Sequence, residues 1–553
     1  MRHCPSLKLL LEWTSLGIFF LFVLVAFMAT SHGNEGGWTS IGLEEAKTVD
    51  NDDIETKITP QKTGGVVWGT VQTKPTQETA APTAVPSKTA APLPNVAPSN
   101  VAPAAPALPK AAPSKPAPTV AAPAKSLPQP AARTPAVEKY LLKSGRQRGS
   151  TDLVETLLEV TGEAKQISSD LKEMQEKMEV VAGFRYEERI EQFSPTGQLS
   201  SIRQYNLAKS KMKIGDNVRI PELSSELQTI VCTAERDNVS LFSPHGSLRG
   251  EQLLLIEDIP GNTLTIDRLL PNTEVAIGES WKISDHVLRS FLSVDAIVSH
   301  NVEAVLTAVA DNMAMVEVVG DVSGMYLGAA TEISVRAKFQ FDLSIQRINW
   351  LGAMIAENRS IGHVGPGLEH TARLQVKISP VDTPQMLTNA TVMTISTRPT
   401  PAVLLLKYDG GKGPWRFSHD RSWYVYQDDP QATILRKLMD GELVAQCNIA
   451  DMGTVDLKTM ITLEKFQQDL IAGLGNHFGK VAAAGEYEDR RGSKIYKVLL
   501  DGMVDDLALR WIYHLITDRD GKQSVVVFVV EAAMLDQFGN ADEVLLGTYR
   551  MGR

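Results

Sequence analysis

Phe184-Arg-Tyr-Glu-Glu-Arg-Ile-Glu-Gln-Phe193, followed by Ser194-Pro-Thr-Gly197 and then by residues 199–214, reads as strand, turn and strand. Just upstream, Met178, Val180, Ala182, Phe184 and Tyr186 alternate with period two, the spacing of a half-buried strand. The same pattern spreads along the chain. Thr229-Ile-Val-Cys-Thr and Val239-Ser-Leu-Phe flank Asp237-Asn238, a hairpin signal. Ala304-Val-Leu-Thr-Ala-Val, Met313-Ala-Met-Val-Glu-Val-Val, Glu332-Ile-Ser-Val-Arg-Ala-Lys-Phe-Gln-Phe and Arg347-Ile-Asn-Trp-Leu follow as further strands. Short helices are expected at 249–256 and, capped by Ser284, at 285–292. Residues 139–380 therefore predict a large antiparallel β-rich domain with a few covering helices.

Residues 153–181 support two readings. Leu153, Leu157, Val160, Ala164, Ile167, Leu171, Met174, Met178 and Val181 follow the 4,3,4,3 spacing of a heptad seam. Val154-Glu-Thr-Leu-Leu-Glu-Val-Thr-Gly162 also reads as a β-branched strand stopping at a glycine, and residues from Lys177 alternate. The favoured expectation is strands at the two ends with a helical or turn segment between them.

Thr397-Arg-Pro-Thr-Pro401 marks a boundary, and 395–553 predicts a smaller antiparallel α+β sandwich domain, so the fold class is α+β. Val403-Leu-Leu-Leu-Lys-Tyr408, the turn Asp409-Gly-Gly-Lys-Gly-Pro414 and Ser422-Trp-Tyr-Val-Tyr426 open it. A strand over 443–449 precedes a helix after Thr462, with Phe466, Leu470, Leu474 and Phe478 four apart and Glu464 at the positive end. Ile495-Tyr-Lys-Val-Leu-Leu500, 507–517 and 524–531 complete a sheet, the last two strands joined by Asp518-Arg-Asp-Gly521. Val525 to Val530 is apolar without alternation, which marks a central strand. A last helix is expected over 534–547.

Ahead of these lie an address and a tether. Arg2, His3 and Lys8 precede an apolar run from Leu16 to Met28, and small residues Ala29, Thr30, Ser31 and Gly33 follow. These are the three parts of a secretory signal over 1–33. An uncleaved membrane anchor is the alternative, although Glu12 shortens the apolar span. Residues 34–138 are polar and then rich in Pro, Ala and Lys, a composition that cannot bury a core. Lys74, Lys88, Lys110, Lys115, Lys125 and Arg133 face only Glu78 there. In polyproline II form, about 60 such residues at ~3.1 Å each reach on the order of 190 Å. The tether reads as a spacer across an envelope layer or as an inert linker.

Arg203-Gln-Tyr-Asn, Leu269-Leu-Pro271, Val275-Ala-Ile-Gly278-Glu-Ser-Trp281 and Ile355-Ala-Glu-Asn-Arg359 resemble landmarks of uncharacterised exported proteins of planctomycete-type bacteria, over about 150–378. That resemblance implies an exported compartment and a β-rich fold, with no activity attached. The element order of the C-terminal part, with Arg510-Trp-Ile-Tyr-His and Phe528, is similar to the PsbP-like α+β fold, used mostly for binding.

Chemistry is not written plainly in the chain. It has no Gly-x-Ser-x-Gly, no His-Glu-x-x-His, no phosphate loop and no Gly-x-Gly-x-x-Gly opening a helix after a strand. His363 and His370 bracket Gly365-Pro-Gly367, but only Glu369 lies near, so they read as loop residues. Asp518, Asp520 and Gly521 read as a hairpin turn, and Asp501, Asp505 and Asp506 as a solvated loop. Gly278 reads as a turn, with Trp281, Tyr205 and Trp350 as core. Trp415, Trp423, Tyr424, Tyr426, Trp511 and Tyr513 form the densest aromatic set, read as core, with a carbohydrate or peptide groove as the other option. Two cysteines, Cys232 and Cys447, follow the signal segment; their pairing is open, and two thiols cannot make a zinc site. No catalytic, cofactor-binding or metal-ligating residue is assigned, and no cofactor is expected.

A net charge of −10 argues against a general nucleic-acid binder. Export, tether and the lack of catalytic motifs point to a non-enzymatic cell-envelope, periplasmic or extracellular protein. It would bind an apolar ligand or an envelope protein partner and touch the membrane only through its N-terminal segment if uncleaved. A structural module without ligand and a hydrolase of envelope polymers are the alternatives; the latter needs carboxyl groups brought together from distant segments.

Overall fold

Strand alternation governs most of the computed structural model, which describes residues 138–552 except 168–172, 194–197, 236–237, 410 and 431. The expected signal segment, the tether before residue 138, the Ser194–Gly197 turn and Asp237 lie outside the described residues. Thirteen strands join in one antiparallel sheet. Its main path runs from Asn238–Phe242 through Thr229–Glu235, Leu199–Ile214, Glu173–Gln192 and Thr151–Ile167 to Gly367–Pro380. It continues through Arg347–Arg359, Ala329–Asp342, Met313–Tyr326 and Glu303–Ala310 to Ser280–Lys282. The fold is thus mostly antiparallel sheet, with few helices.

The heptad reading of 153–181 is overturned. Thr151–Ile167 and Glu173–Gln192 pair throughout, from Thr151 with Arg189 to Ile167 with Glu173, and no helical segment separates them among the described residues. Val154, Leu158, Val160 and Ala164 are buried, while Leu153 and Leu157 of the supposed seam are only half-buried. Partners on both sides of Thr151–Ile167 outweigh the 3.5-residue spacing. Nor does the strand stop at Gly162. A Cβ there would lie 2.2 Å from the Glu369 carbonyl oxygen, so Gly162 permits a close approach of the neighbouring strand.

Strict alternation along Ala329–Asp342 buries Ile333, Val335, Ala337, Phe339 and Phe341 and leaves Glu332, Ser334, Arg336 and Lys338 outward. The inward face is filled by the chain itself. The helix Gly250–Glu257 supplies Leu253, Leu255 and Ile256, and the helix Asp285–Leu292 supplies Val287, Leu288, Phe291 and Leu292. Leu264, Ile266, Leu269 and Leu270 between them join the same core. Ser284 begins the second helix as expected, but its hydroxyl pairs with His286 Nδ1 at 3.0 Å instead of capping a backbone N–H.

Buried charges fasten this filling to the sheet. Arg146 lies 3.2 Å from Asp152, 3.5 Å from Asp267, and donates to the Thr263 carbonyl at 2.6 Å. Arg347 also reaches Asp152. Arg203 donates to Glu188 at 2.8 Å and to Asn262 Oδ1 at 2.6 Å, and Tyr186 and Thr263 share a hydroxyl bond of 2.9 Å. Burial pushes the Asp152 carboxyl up against the pull of Arg146 and Arg347. Burial also pushes Glu188 up, yet Arg203 and Arg146 prevail and hold it below the usual range.

Residues 381–405 lie along the large sheet. Glu187 accepts backbone N–H bonds from Gln385, Met386 and Leu387 at 3.0, 3.0 and 2.9 Å. Leu387, Val392, Ile395, Val403 and Leu404 pack on Ile202, Val231 and Phe242. The run 403–408 is divided, because Pro401 opens a helical turn, Pro401–Leu404, before the short strand Leu406–Tyr408.

The C-terminal strands form a seven-stranded antiparallel sheet ordered Trp423–Asp428, Ala432–Met439, Glu442–Thr454, Lys522–Glu531, Leu507–Thr517, Lys494–Val504 and Phe478–Glu488. Lys522–Glu531 is central and buried on both faces, as the unbroken Val525–Val530 run predicts. The helix Leu463–Leu474 begins where expected, with Thr462 accepting from Lys465 N–H at 3.2 Å. Phe478, however, belongs to an edge strand that periodicity missed, as it missed Ala432–Met439. The last expected helix is broken into a 3-10 turn at Ala532–Met534 and helices Leu535–Phe538 and Ala541–Thr548. Cys232 and Cys447 are both free and buried, in separate cores.

Under the final helix, fully buried His514 lies 3.3 Å from Asp542, which also meets Lys497 at 2.8 Å. Burial holds the His514 pKa below its ordinary 6.5 even though Asp542 opposes it. Burial raises Asp542, but His514 and Lys497 bring it down to about 2 from 3.8.

Two outcomes follow from these buried groups. Asp152→Ala strands Arg146 and Arg347 and should cost roughly 3–5 kcal/mol in urea unfolding; a loss under about 1 kcal/mol would contradict the role given to the pair. Since His514 binds its proton more weakly in the fold, its contribution is complete above pH 6.5 and is lost as pH falls below it. Thermal melts from pH 8 to 5 should therefore fall more steeply for the wild type than for His514→Gln, and parallel curves would refute this.

Candidate functional site

The helix Gly250–Glu257 ends in two acids because Gln252, Leu253, Leu255 and Ile256 are turned inward, leaving Glu257 and Asp258 at its rim. A helix C-terminus carries partial negative charge, an unfavourable place for carboxylates. Asp295 arrives beside them just after the second helix, where its carboxylate accepts the Leu327 N–H at 2.5 Å. These residues face a cleft of about 1170 Å³. Its other walls are the hairpin around Tyr326 and Leu327, residues near Arg359 and Gly365, and the strand Trp423–Asp428.

Turn-to-turn and strand contacts close the cleft's back. Lys407 N–H donates to the Leu248 carbonyl at 2.8 Å, and Arg421 donates to the Leu241 and Leu404 carbonyls at 2.7 and 3.2 Å. The hairpin turn at Gly328 lies against that at Gly441. A Cβ on Gly328 would come 2.1 Å from the Gly441 carbonyl oxygen, and φ there is +77°.

The carboxyls are electrostatically strained. Burial, then Asp258, push the Glu257 carboxyl up to about 7; Arg421 pulls the other way and Asp295 adds to the rise. Burial raises Asp258 to about 6, although Tyr326 donates a 2.7 Å hydrogen bond to it and Arg359 lies near. The Arg359 guanidinium stacks 3.9 Å from the Tyr326 ring centre and donates to Glu357 at 2.6 Å. Burial, then Asp295, Glu257 and Asp258, drive the Tyr424 hydroxyl upward, and Tyr424 lines the same cleft as those carboxyls.

The aromatic set divides. Trp415, Trp423, Trp511 and Tyr513 are buried, whereas Tyr424 is half-buried and Tyr426 is exposed on the cleft, with Arg436 3.6 Å above its ring. Tyr205 is buried, while Trp281 and Trp350 are only half-buried, and Trp281 donates to the Leu269 carbonyl at 3.0 Å. Gly278 lies in a turn, as its sequence context predicts.

His363 and His370 have different partners: the His363 carbonyl accepts from Arg436, and His370 Nε2 lies 3.6 Å from Glu357. Among the described residues no group of three or more His, Cys, Asp or Glu side chains is placed to hold a metal ion. Asp518 accepts the Asp520 and Lys522 N–H groups at 2.9 Å, which is hairpin geometry. Asp501 is not in a solvated loop. It sits on a strand and forms a two-point pair at 2.7 and 3.1 Å with Arg510, its direct partner across the hairpin.

Glu257, Asp258, Asp295 and Tyr326 are absent from the sequence-based set. One signal could have marked the first two: adjacent acids closing a predicted helix at its negative end.

No family model matches the chain, and no curated protein matches it. Among solved structures, the solution structure of cyanobacterial PsbP (CyanoP) from Synechocystis sp. PCC 6803 is weakly similar. It has 15% identity and a TM-score of 0.22, covering 27% of this chain and 92% of its own. The outer membrane protein OprD from Pseudomonas aeruginosa has 8% identity and a TM-score of 0.11, covering 72% of this chain and 96% of its own. Neither likeness bears on function. Among the described residues no helix is long and apolar enough to cross a membrane.

Because the folded Glu257 carboxyl holds its proton to about pH 7, against an ordinary 4.5, its contribution is complete below 4.5 and is lost as pH rises through 7. Glu257→Gln should be more stable than the wild type at pH 8, by on the order of 1–3 kcal/mol, with a smaller gain at pH 4.5. Equal stability at pH 8 in denaturant titrations would show that Glu257 is not strained.

Proposed function

We propose that this chain is an exported, tethered cell-envelope protein that binds a segment of a protein partner and performs no chemistry on it. The supporting observation is that its own helices Gly250–Glu257 and Asp285–Leu292 fill the apolar face of the large sheet, while the remaining cleft sets the charged groups Glu257, Asp258, Asp295 and Arg359 among apolar side chains. An apolar ligand held against the sheet would have to displace that packed core, whereas cavities for such molecules are left open.

In this reading residues 1–33 are the export signal and 34–138 the spacer that carries the folded part away from the membrane. The resemblance of 150–378 to exported planctomycete-type proteins agrees with that address. Residues 139–380 and 395–553 act as two domains of an α+β chain, the second PsbP-like, with the cleft at their junction.

A second reading, hydrolysis of an envelope polymer, is favoured by one observation: Glu257 and Asp258 share a cleft with carboxyl values of about 7 and 6, suited to a general acid. Binding remains the better account, because the two acids come from adjacent positions at one helix end and do not flank a bond from opposite sides.

Native mass spectrometry of the full chain, exported and purified without harsh detergent, tests the choice. The protein should fly at its own mass, as monomer or oligomer, without a stoichiometric small molecule. A co-purified lipid or other apolar compound would overturn the reading.

A further inference from the structure

The strand Trp423–Asp428 is the last of the seven in its sheet, and its sheet partner is Ala432–Met439. Its other edge borders the cleft, and all six of its residues line that space. Ser422, just before it, accepts from Leu438 N–H at 2.9 Å. Antiparallel pairs alternate between bonded and non-bonded, so Tyr424 bonds inward toward Arg436 and the N–H and C=O of Val425 point outward. Val425 and Tyr426 are 40% and 42% exposed. A register shift between Val425 and Gln427 ends regular pairing, which limits an added strand to the first half of this edge.

Across the cleft stand Glu257, Asp258 and Asp295. Of the cations that line the cleft, Arg359 is engaged with Glu357 and the Tyr326 ring, Arg421 with the Leu241 and Leu404 carbonyls, and Arg249 and Lys407 with Asp409 at 2.6 and 3.5 Å; Arg219, Arg289 and Lys412 line it as well. The cleft's 1170 Å³ is larger than the roughly 300–1,000 Å³ usual for a small-molecule pocket and suits an extended chain.

We propose that Trp423–Asp428 takes an added strand from a protein partner, an extended peptide segment whose lysine or arginine side chain enters the corner formed by Glu257, Asp258 and Asp295. Backbone bonds along a free edge supply affinity, and the side-chain corner supplies selectivity. A cation there favours the ionised forms of Glu257 and Asp258. The inference rests on the partner-binding reading above and names the chemistry of the partner.

Fluorescence anisotropy with the full chain at pH 8 and low salt tests it, using labelled seven-residue Thr/Val peptides with Lys, Ala or Glu at the centre. The Lys peptide should bind at least about tenfold more tightly than the Ala peptide, with the Glu peptide weakest; one close charged contact of about 1.4 kcal/mol corresponds to that factor. Glu257→Gln and Asp258→Asn together should reduce the Lys preference below about threefold. Methylating alternate backbone nitrogens of the Lys peptide should abolish binding with no change to the protein.

Binding that ignores the central residue would overturn the basic side chain, and binding that survives backbone methylation would overturn the added strand. If none of the peptides binds at 100-fold the concentration of protein, the inference fails as a whole. The partner-binding reading is judged separately, by the presence or absence of an apolar compound in the native mass.

Discussion

The charges buried beneath the large sheet constrain everything around them. Arg146, Asp152 and Arg347 on one side, and Arg203 with Glu188 on the other, converge on residues 262–267. That loop joins the two helices that fill the sheet. Charges removed from water are costly unless paired and hydrogen-bonded, so the loop is held in one place by the penalty for leaving any of them alone. Asn262 accepts from Arg203 and also lines the cleft. The network therefore links the interior of the sheet to the site.

Filling the sheet with its own helices decides what the rest of the molecule is free to do. A large curved antiparallel sheet with an empty apolar face would be a lipid carrier's scaffold. Here that face is closed by Leu253, Leu255, Ile256, Val287, Leu288 and Phe291. The outward face carries Glu332, Arg336 and Lys338 and is suited to water. What remains open is the cleft, where a helix ends in two acids and a second sheet presents an edge.

Period-two alternation made the strands legible, and it succeeds where one face is buried and the other solvated, as in Ala329–Asp342. The unbroken Val525–Val530 run marked the centre of the second sheet for the same reason in reverse, since both faces are covered. Alternation was hard to read where a competing period overlapped it, at 153–181, because neighbouring strands and not local spacing choose the state there. The edge strand Phe478–Glu488 was invisible because it is largely exposed and carries little pattern. The cleft was not legible as one site. Glu257, Asp295, Tyr326 and Tyr424 are far apart in sequence, and what unites them is the packing of the loop and hairpin turns. The densest aromatic set held only part of the site, Trp423, Tyr424 and Tyr426.

Hydrogen–deuterium exchange on the full chain tests the central claim most directly, that helices 250–257 and 285–292 permanently fill the sheet. The account predicts that their amides are protected as long as those of Ala329–Asp342, while the outward Val425 amide exchanges rapidly. Fast exchange throughout both helices, with the sheet strands still protected, would contradict it, because the filling would then be a plug that opens and the sheet a vessel.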